Sequence, residues 1–148
     1  MEKTIAVNRQ ASFEYFLQDK QEAGIALHGT EIKSIRMGNC NLKGSFVEIK
    51  EGEAFIVDMH IAEYKQGNRF NHEAKRPRKL LLHKQEIKKL AEKVKLKGFT
   101  IVPTKIYFSR GMVKVEIALA KGKELHDKRQ SLKEKEQKRE VDRAMKVR

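Results

Sequence analysis

The sequence predicts a mainly β protein with short helices: an oligonucleotide-binding-type antiparallel β-barrel over residues 1–120, followed by a basic C-terminal tail over residues 121–148. Three observations lead there. Met112–Leu119 alternates Val113, Val115, Ile117 and Leu119 with Lys114, Glu116 and Ala118, the period of a half-buried strand. Strand-like runs are separated by the turn-forming stretches Glu51-Gly52 and Ser109-Arg110-Gly111. Short antiparallel strands of this kind favour a closed or nearly closed barrel, because closure removes sheet edges. Finally, the 148 residues carry 33 Lys and Arg against 20 Asp and Glu, a net charge of +13. Folding gains nothing from such an excess; it fits a polyanionic partner, nucleic acid first and an anionic membrane second.

Taken in order, the first strand is expected around Thr4–Ala11 and the second at Glu22–Leu27. GTEIKSIRMG reads as a short helix, with Ile32 and Ile35 on one side, Lys33 and Arg36 available to a partner, and Gly38 as its stop. Gly44–Lys50 and Ala54–Ile61 form a hairpin about Glu51-Gly52. Glu63–Lys79 reads as a polar loop, with Pro77 arguing against regular structure at Arg76. In LLLHKQEIKKLAEKVKLKG, Ile87, Leu90, Ala91 and Val94 mark one helical face, lysines crowd the rest, and Gly98 ends it. Phe99–Phe108 is a strand in which Pro103 predicts an edge or a bulge. The count is about six strands and two helices before the tail.

The tail begins with a composition change near Lys121. Leu132, Val141 and Met145 share a weak helical stripe, and Ser131 with Glu134 forms a candidate capping box. A segment this polar buries too little to fold alone, so it is expected to be disordered when free and helical when bound.

Chemistry-bearing constellations are scarce. There is no P-loop and no GxGxxG turn. Cys40, the only cysteine, excludes an internal disulfide and a cysteine zinc cluster, and no neighbouring feature supports it as a nucleophile. His28, His60, His72, His83 and His126 lack metal-ligand spacing, and His83 can cap the helix after it. No apolar run approaches the roughly 20 residues of a membrane span. With the start MEKTIAVNRQ lacking an apolar leader segment, the expected location is the cytoplasm. The expectation is therefore a protein without catalysis, metal or cofactor.

The cationic residues carry more. Arg69, Lys75, Arg76, Arg78 and Lys79 cluster around a Pro-containing loop, where arginine can pair with phosphate or stack on a base, although solvent exposure alone would also explain them. Asn8 and Arg9 form a second polar patch. Phe13, Tyr15, Phe16, Phe70 and Tyr107 are candidate stacking groups, each with barrel packing as its plainer role. Glu31 is either a first-turn carboxylate favoured by the helix dipole or an acceptor for a nucleic-acid donor.

Several stretches, in order and at compatible spacing, resemble the SmpB family: VNRQASFEYF, GTEIKSIR, KRPRKLLLHKQEI, KVKLKGFTIVPTKIYF and VKVEIALAKGKELHDKR. These are the SsrA-binding proteins that work with transfer-messenger RNA in trans-translation, the bacterial ribosome-rescue process. The resemblance implies a non-enzymatic adaptor, a monomer off the ribosome, that binds the tRNA-like part of that RNA. It also implies delivery of the RNA to a stalled 70S ribosome, where the tail meets small-subunit RNA in the vacant decoding centre and messenger channel. Carried onto this chain, it makes Asn8, Arg9, Glu31, Arg76, Arg78, Lys79 and Leu90 RNA-binding residues, alongside Lys33 and Arg36. It makes His126, Asp127, Lys128, Arg129, Lys133, Lys138, Arg139 and Met145 the decoding-centre tail, with Lys128 and Arg129 on ribosomal RNA phosphates. Loss of Glu31 is then expected to affect RNA binding first. Many relatives place Tyr where this chain has His126, and often Trp in the segment where Gln137 stands. The competing readings are a structural ribosomal RNA-binding protein and, less favoured, a metabolic enzyme on the same barrel.

Overall fold

The barrel is closed by pairings that bring distant strands together. The computed structural model describes residues 2–65 and 71–123. In chain order the elements are β1 (Glu2–Val7), α1 (Arg9–Glu14), β2 (Tyr15–Ile25), α2 (Gly29–Arg36), β3 (Cys40–Asn41), β4 (Phe46–Lys50), β5 (Glu53–Val57), β6 (His60–Ile61), β7 (Arg78–Leu81), α3 (Lys84–Lys97), β8 (Thr100–Ser109) and β9 (Met112–Gly122). The main sheet runs β1-β8-β4-β5-β7-β2-β9, and β8 also pairs with β9, so the strands from β8 round to β9 form an antiparallel ring. β3 and β6 make a separate short ladder.

Turn chemistry sets the hairpins. Glu51 and Gly52 both adopt positive φ between β4 and β5, as do Arg110 and Gly111 between β8 and β9. Two successive left-handed residues give the turn whose twist matches the flanking strands. On β9, Val113, Val115, Ile117 and Leu119 all face the core, as the alternation predicts, while Ala118 and Ala120 are buried on the opposite side. β9 continues through Lys121 to Gly122, so the composition change there falls inside the last strand. Ile35 of α2, Ile56, Ile61, Leu80, Ile101 and Ile106 fill the same interior, and Ile87 and Leu90 of α3 pack into it.

Four expectations change. The first strand stops at Val7, because Asn8 caps α1: its side-chain oxygen accepts from the Ala11 N–H at 3.2 Å. β2 starts at Tyr15, well before Glu22, and bulges between Gln18 and Gln21, with Asp19 at φ 52°. The expected strand Ala54–Ile61 is broken by Asp58, whose φ of 62° ends β5 and redirects the chain into β6. Arg78 and Lys79 belong to β7 and not to a loop; β7 bridges β5 and β2, and without it the ring would be open. Pro103 does mark a bulge, with register shifting between Pro103 and Lys105, but on a strand paired along both edges.

Candidate nucleic-acid interface

The polar centre of the molecule is an ion-pair frame at the start of α2. Glu31 sits in the first turn, where the helix dipole favours a carboxylate, and its Oε1 accepts from the His28 backbone N–H at 2.7 Å. The same oxygen accepts from Arg76 at 2.5 Å, and Oε2 accepts from Arg78 Nε at 2.5 Å. Neither Glu31 nor Arg78 exposes any side-chain surface. Arg78 spends its remaining donors on carbonyls, reaching Met59 at 2.5 Å, Ala74 at 3.0 Å and Glu73 at 3.3 Å. One guanidinium thus ties α2 to the approach to β6 and to the segment before β7. Burial pushes the Glu31 carboxyl up; the bonds from Arg76, the His28 N–H and Arg78, with the charge of Arg78, outweigh it and hold the group below the ordinary carboxylate value.

The frame buries two residues that carry RNA-contact expectations. Of the two readings of Glu31, the structure shows the first-turn carboxylate, buried with both oxygens engaged inside the protein. Arg78 was expected on the RNA surface, yet it is a core cation. Leu90 and Asn8 are also buried, Leu90 on the helical face that its periodicity marks. Leu90 is 5% exposed and belongs to the core face of α3. Asn8 is 7% exposed, and its amide also donates to the Pro103 carbonyl at 2.9 Å, pinning α1 to the β8 bulge. Asn8→Ala, which removes a helix cap and leaves that carbonyl unpaired, is expected to cost about 1–2 kcal/mol in urea unfolding. An unchanged midpoint would refute the assignment. Tyr107, a candidate stacking group, is buried and donates its hydroxyl to Glu22.

Two cations, Arg76 and Lys33, stand in a cleft beside the frame, and others are exposed elsewhere on the barrel. Arg76 keeps 25% of its side chain exposed and, with His28, Thr30, Lys33, Asn71 and His72, lines a cleft of about 550 Å³ at the α2 N-terminus. His72 is buried between the Thr30 hydroxyl at 2.9 Å and the Ile61 carbonyl at 2.9 Å, a role with no signature in sequence because its partners are remote. Lys33 is exposed, its ammonium 5.4 Å from the Tyr64 ring centroid. Arg36 is exposed on the next turn, 5.9 Å from the Phe108 ring. Lys79 points outward from β7 and pairs with Glu53 at 3.2 Å; Arg9 and Lys75 are exposed. Lys33, Arg36, Arg76, Lys79 and Arg9 are thus at the surface, whereas Asn8, Glu31, Arg78 and Leu90 lie beneath it. Of the remaining candidate stacking groups, Phe16 is half-exposed under the Lys123 ammonium at 5.1 Å, Phe13 is exposed and Tyr15 is partly buried.

Arg69 and Phe70, and the tail residues His126, Asp127, Lys128, Arg129, Lys133, Lys138, Arg139 and Met145, lie outside the described residues. Among the described residues there is no group of three His, Cys, Asp or Glu able to hold a metal ion, and no helix is long and apolar enough to cross a membrane. Burial pushes the Cys40 thiol up to about 11, far from a reactive thiolate at neutral pH.

A ring of antiparallel strands with a net positive charge, braced by a buried arginine–carboxylate frame, defines a small basic β-barrel. Comparison with known proteins makes this specific. The SmpB protein family model matches residues 5–147, and the chain belongs to the SmpB family. It is 53% identical over its whole length to the SsrA-binding protein of Carboxydothermus hydrogenoformans, covering 99% of that protein. It is 56% identical to the SsrA-binding protein of Shouchella clausii, across 99% of this chain and 94% of that one. Among solved structures it resembles, at TM-score 0.68 and 44% identity, a chain described under "tmRNA-SmpB: a journey to the center of the bacterial ribosome", covering 86% of this chain and 93% of that one.

Proposed function

We propose that this protein is a non-enzymatic RNA adaptor. It binds the tRNA-like part of transfer-messenger RNA and delivers it to stalled ribosomes, where its C-terminal tail probes the vacant decoding centre and messenger channel. The observation that carries this reading is family membership over residues 5–147, which spans barrel and tail alike. The charge of +13 supplies long-range attraction to RNA, and the exposed Arg9, Lys33, Arg36 and Lys79, with the half-buried Arg76, supply contacts. Asn8, Glu31, Arg78 and Leu90 act by holding that surface in shape. His126, Asp127, Lys128, Arg129, Lys133, Lys138, Arg139 and Met145 act on the ribosome. Peptidyl transfer belongs to the ribosome, and the protein works in the cytoplasm.

The test is equilibrium binding of the full chain to transfer-messenger RNA at physiological salt, with ordinary tRNA and generic RNA as competitors. The expected result is strong selectivity. Equal, weak and steeply salt-dependent binding to every RNA would sink the adaptor reading and favour a structural ribosomal protein.

A further inference from the structure

We propose that the outer side of α3 is a phosphate-binding ridge that contacts an RNA backbone without regard to sequence; this deepens the RNA-adaptor reading and rests on it. Lys84, Lys88 and Lys95 are spaced by four and seven residues, which stacks them in one stripe along the helix. Lys89 and Lys97 lie further round the helix, away from that stripe, and all five are exposed. Among the described residues none of the five forms an ion pair. Lys93, on the side of the helix away from the Lys84/Lys88/Lys95 stripe, is held by Asp19 of the β2 bulge at 2.6 Å. The helix has only two carboxylates. Glu86 is occupied, accepting from the His83 N–H at 3.0 Å and from Gln21 at 2.9 Å, which leaves Glu92 alone facing solvent.

This arrangement works against the helix that carries it. Lys84 and Lys88 repel at helical spacing, and Lys84 stands in the first turn, where the dipole disfavours a cation. Lys95 and Lys97 gain from the C-terminal dipole, but Lys84 and Lys88 do not. Burial of Ile87 and Leu90 holds the helix despite the repulsion. A polyanion would turn that repulsion into attraction.

The chemistry of the ridge selects the partner. Every cation on it is a lysine, a point charge on a flexible stem, with no arginine to form paired bonds to a base or carboxylate. A membrane-surface helix would need its apolar face outward, and here that face is in the core, leaving Leu96 as the exposed aliphatic side chain of α3.

The experiment compares the full chain with its Lys84→Gln/Lys88→Gln/Lys95→Gln variant, measuring log K against log salt for transfer-messenger RNA and for ordinary tRNA. Loss of three phosphate contacts should make the slope shallower by about 2 for both RNAs. A control of equal charge change, Lys3→Gln/Lys43→Gln/Lys50→Gln, removes exposed lysines elsewhere and should leave the slope as in the parent. Circular dichroism confirms folding, and if the triple variant is unfolded the Lys88→Gln/Lys95→Gln pair replaces it. An unchanged slope in the α3 variant, or equal losses in both triples, overturns the ridge. Binding to phosphatidylserine vesicles that disappears in the α3 variant while the RNA slope stays put assigns the face to a membrane and likewise overturns it. Selectivity between the two RNAs tests the adaptor reading separately, since the ridge predicts equal slope changes whether or not selectivity exists.

Discussion

Replacing Glu31 with alanine is expected to lower the unfolding free energy by about 3–5 kcal/mol, because it strands the Arg78 guanidinium in the interior without its counter-charge. The carbonyls of Met59, Glu73 and Ala74 still accept from Arg78, but neutral oxygens do not balance a buried cation. Against a typical domain stability of about 5–15 kcal/mol, that is a large share, and the thermal midpoint should fall by about 10 °C. The acid limb gives a second signature. The folded Glu31 carboxyl is held below its unfolded value of about 4.3, so its contribution is fully present above that pH and is lost as pH falls through the lower folded value. Glu31→Gln keeps the shape and lacks the charge. Its deficit against the parent should therefore be constant near neutrality and shrink on acidification. Urea midpoints over a pH series decide the matter. The RNA-contact reading of Glu31 requires a fully stable variant with a binding defect; a normal midpoint with weakened RNA binding would favour it.

The same frame shows where sequence reasoning stops. Signals carried within one element were legible: the α3 face with Gly98 in the left-handed conformation behind it, the alternation on β9, and the two tight turns that set the hairpins. The family, and with it the barrel, was legible from motif order. What was not legible were features decided by partners far along the chain. Glu31 and Arg78 are 47 residues apart, and nothing local marks the bond between them. Arg78 read as surface because a charged residue beside Pro77 usually is; only the acceptor set from Met59 before β6, from Glu73 and Ala74 before β7, and from Glu31 of α2 makes burial tolerable. β7 was hidden because Arg78 and Lys79 alternate in burial with Leu80 and Leu81, a pattern too short and too charged to register as a strand. Asn8 read as a contact residue, although its type also fits a cap, and the Pro103 carbonyl that it reaches lies 95 residues away.

Alanine at both Lys128 and Arg129 is expected to leave binding to transfer-messenger RNA close to the parent value and to reduce peptide tagging on stalled ribosomes by about tenfold or more. The size follows from two charge-assisted bonds to phosphate at about 1.5 kcal/mol or more each. The separation of effects follows from the fold. The barrel's last strand ends at Gly122, and the Lys123 N–H donates to the Glu14 carbonyl at 2.8 Å, so the ring closes before either residue is reached. The exposed cations of the barrel therefore keep their positions when the tail is altered. Two measurements on one purified variant make the test: a competition titration on free RNA, and tagging in a reconstituted translation reaction stalled on a message without a stop codon. A primary loss in the titration would place Lys128 and Arg129 on the transfer-messenger RNA itself. Loss confined to tagging means that RNA capture and sensing of an empty channel are performed by different parts of the chain, so that binding energy gained by the barrel cannot substitute for a tail that fails to seat.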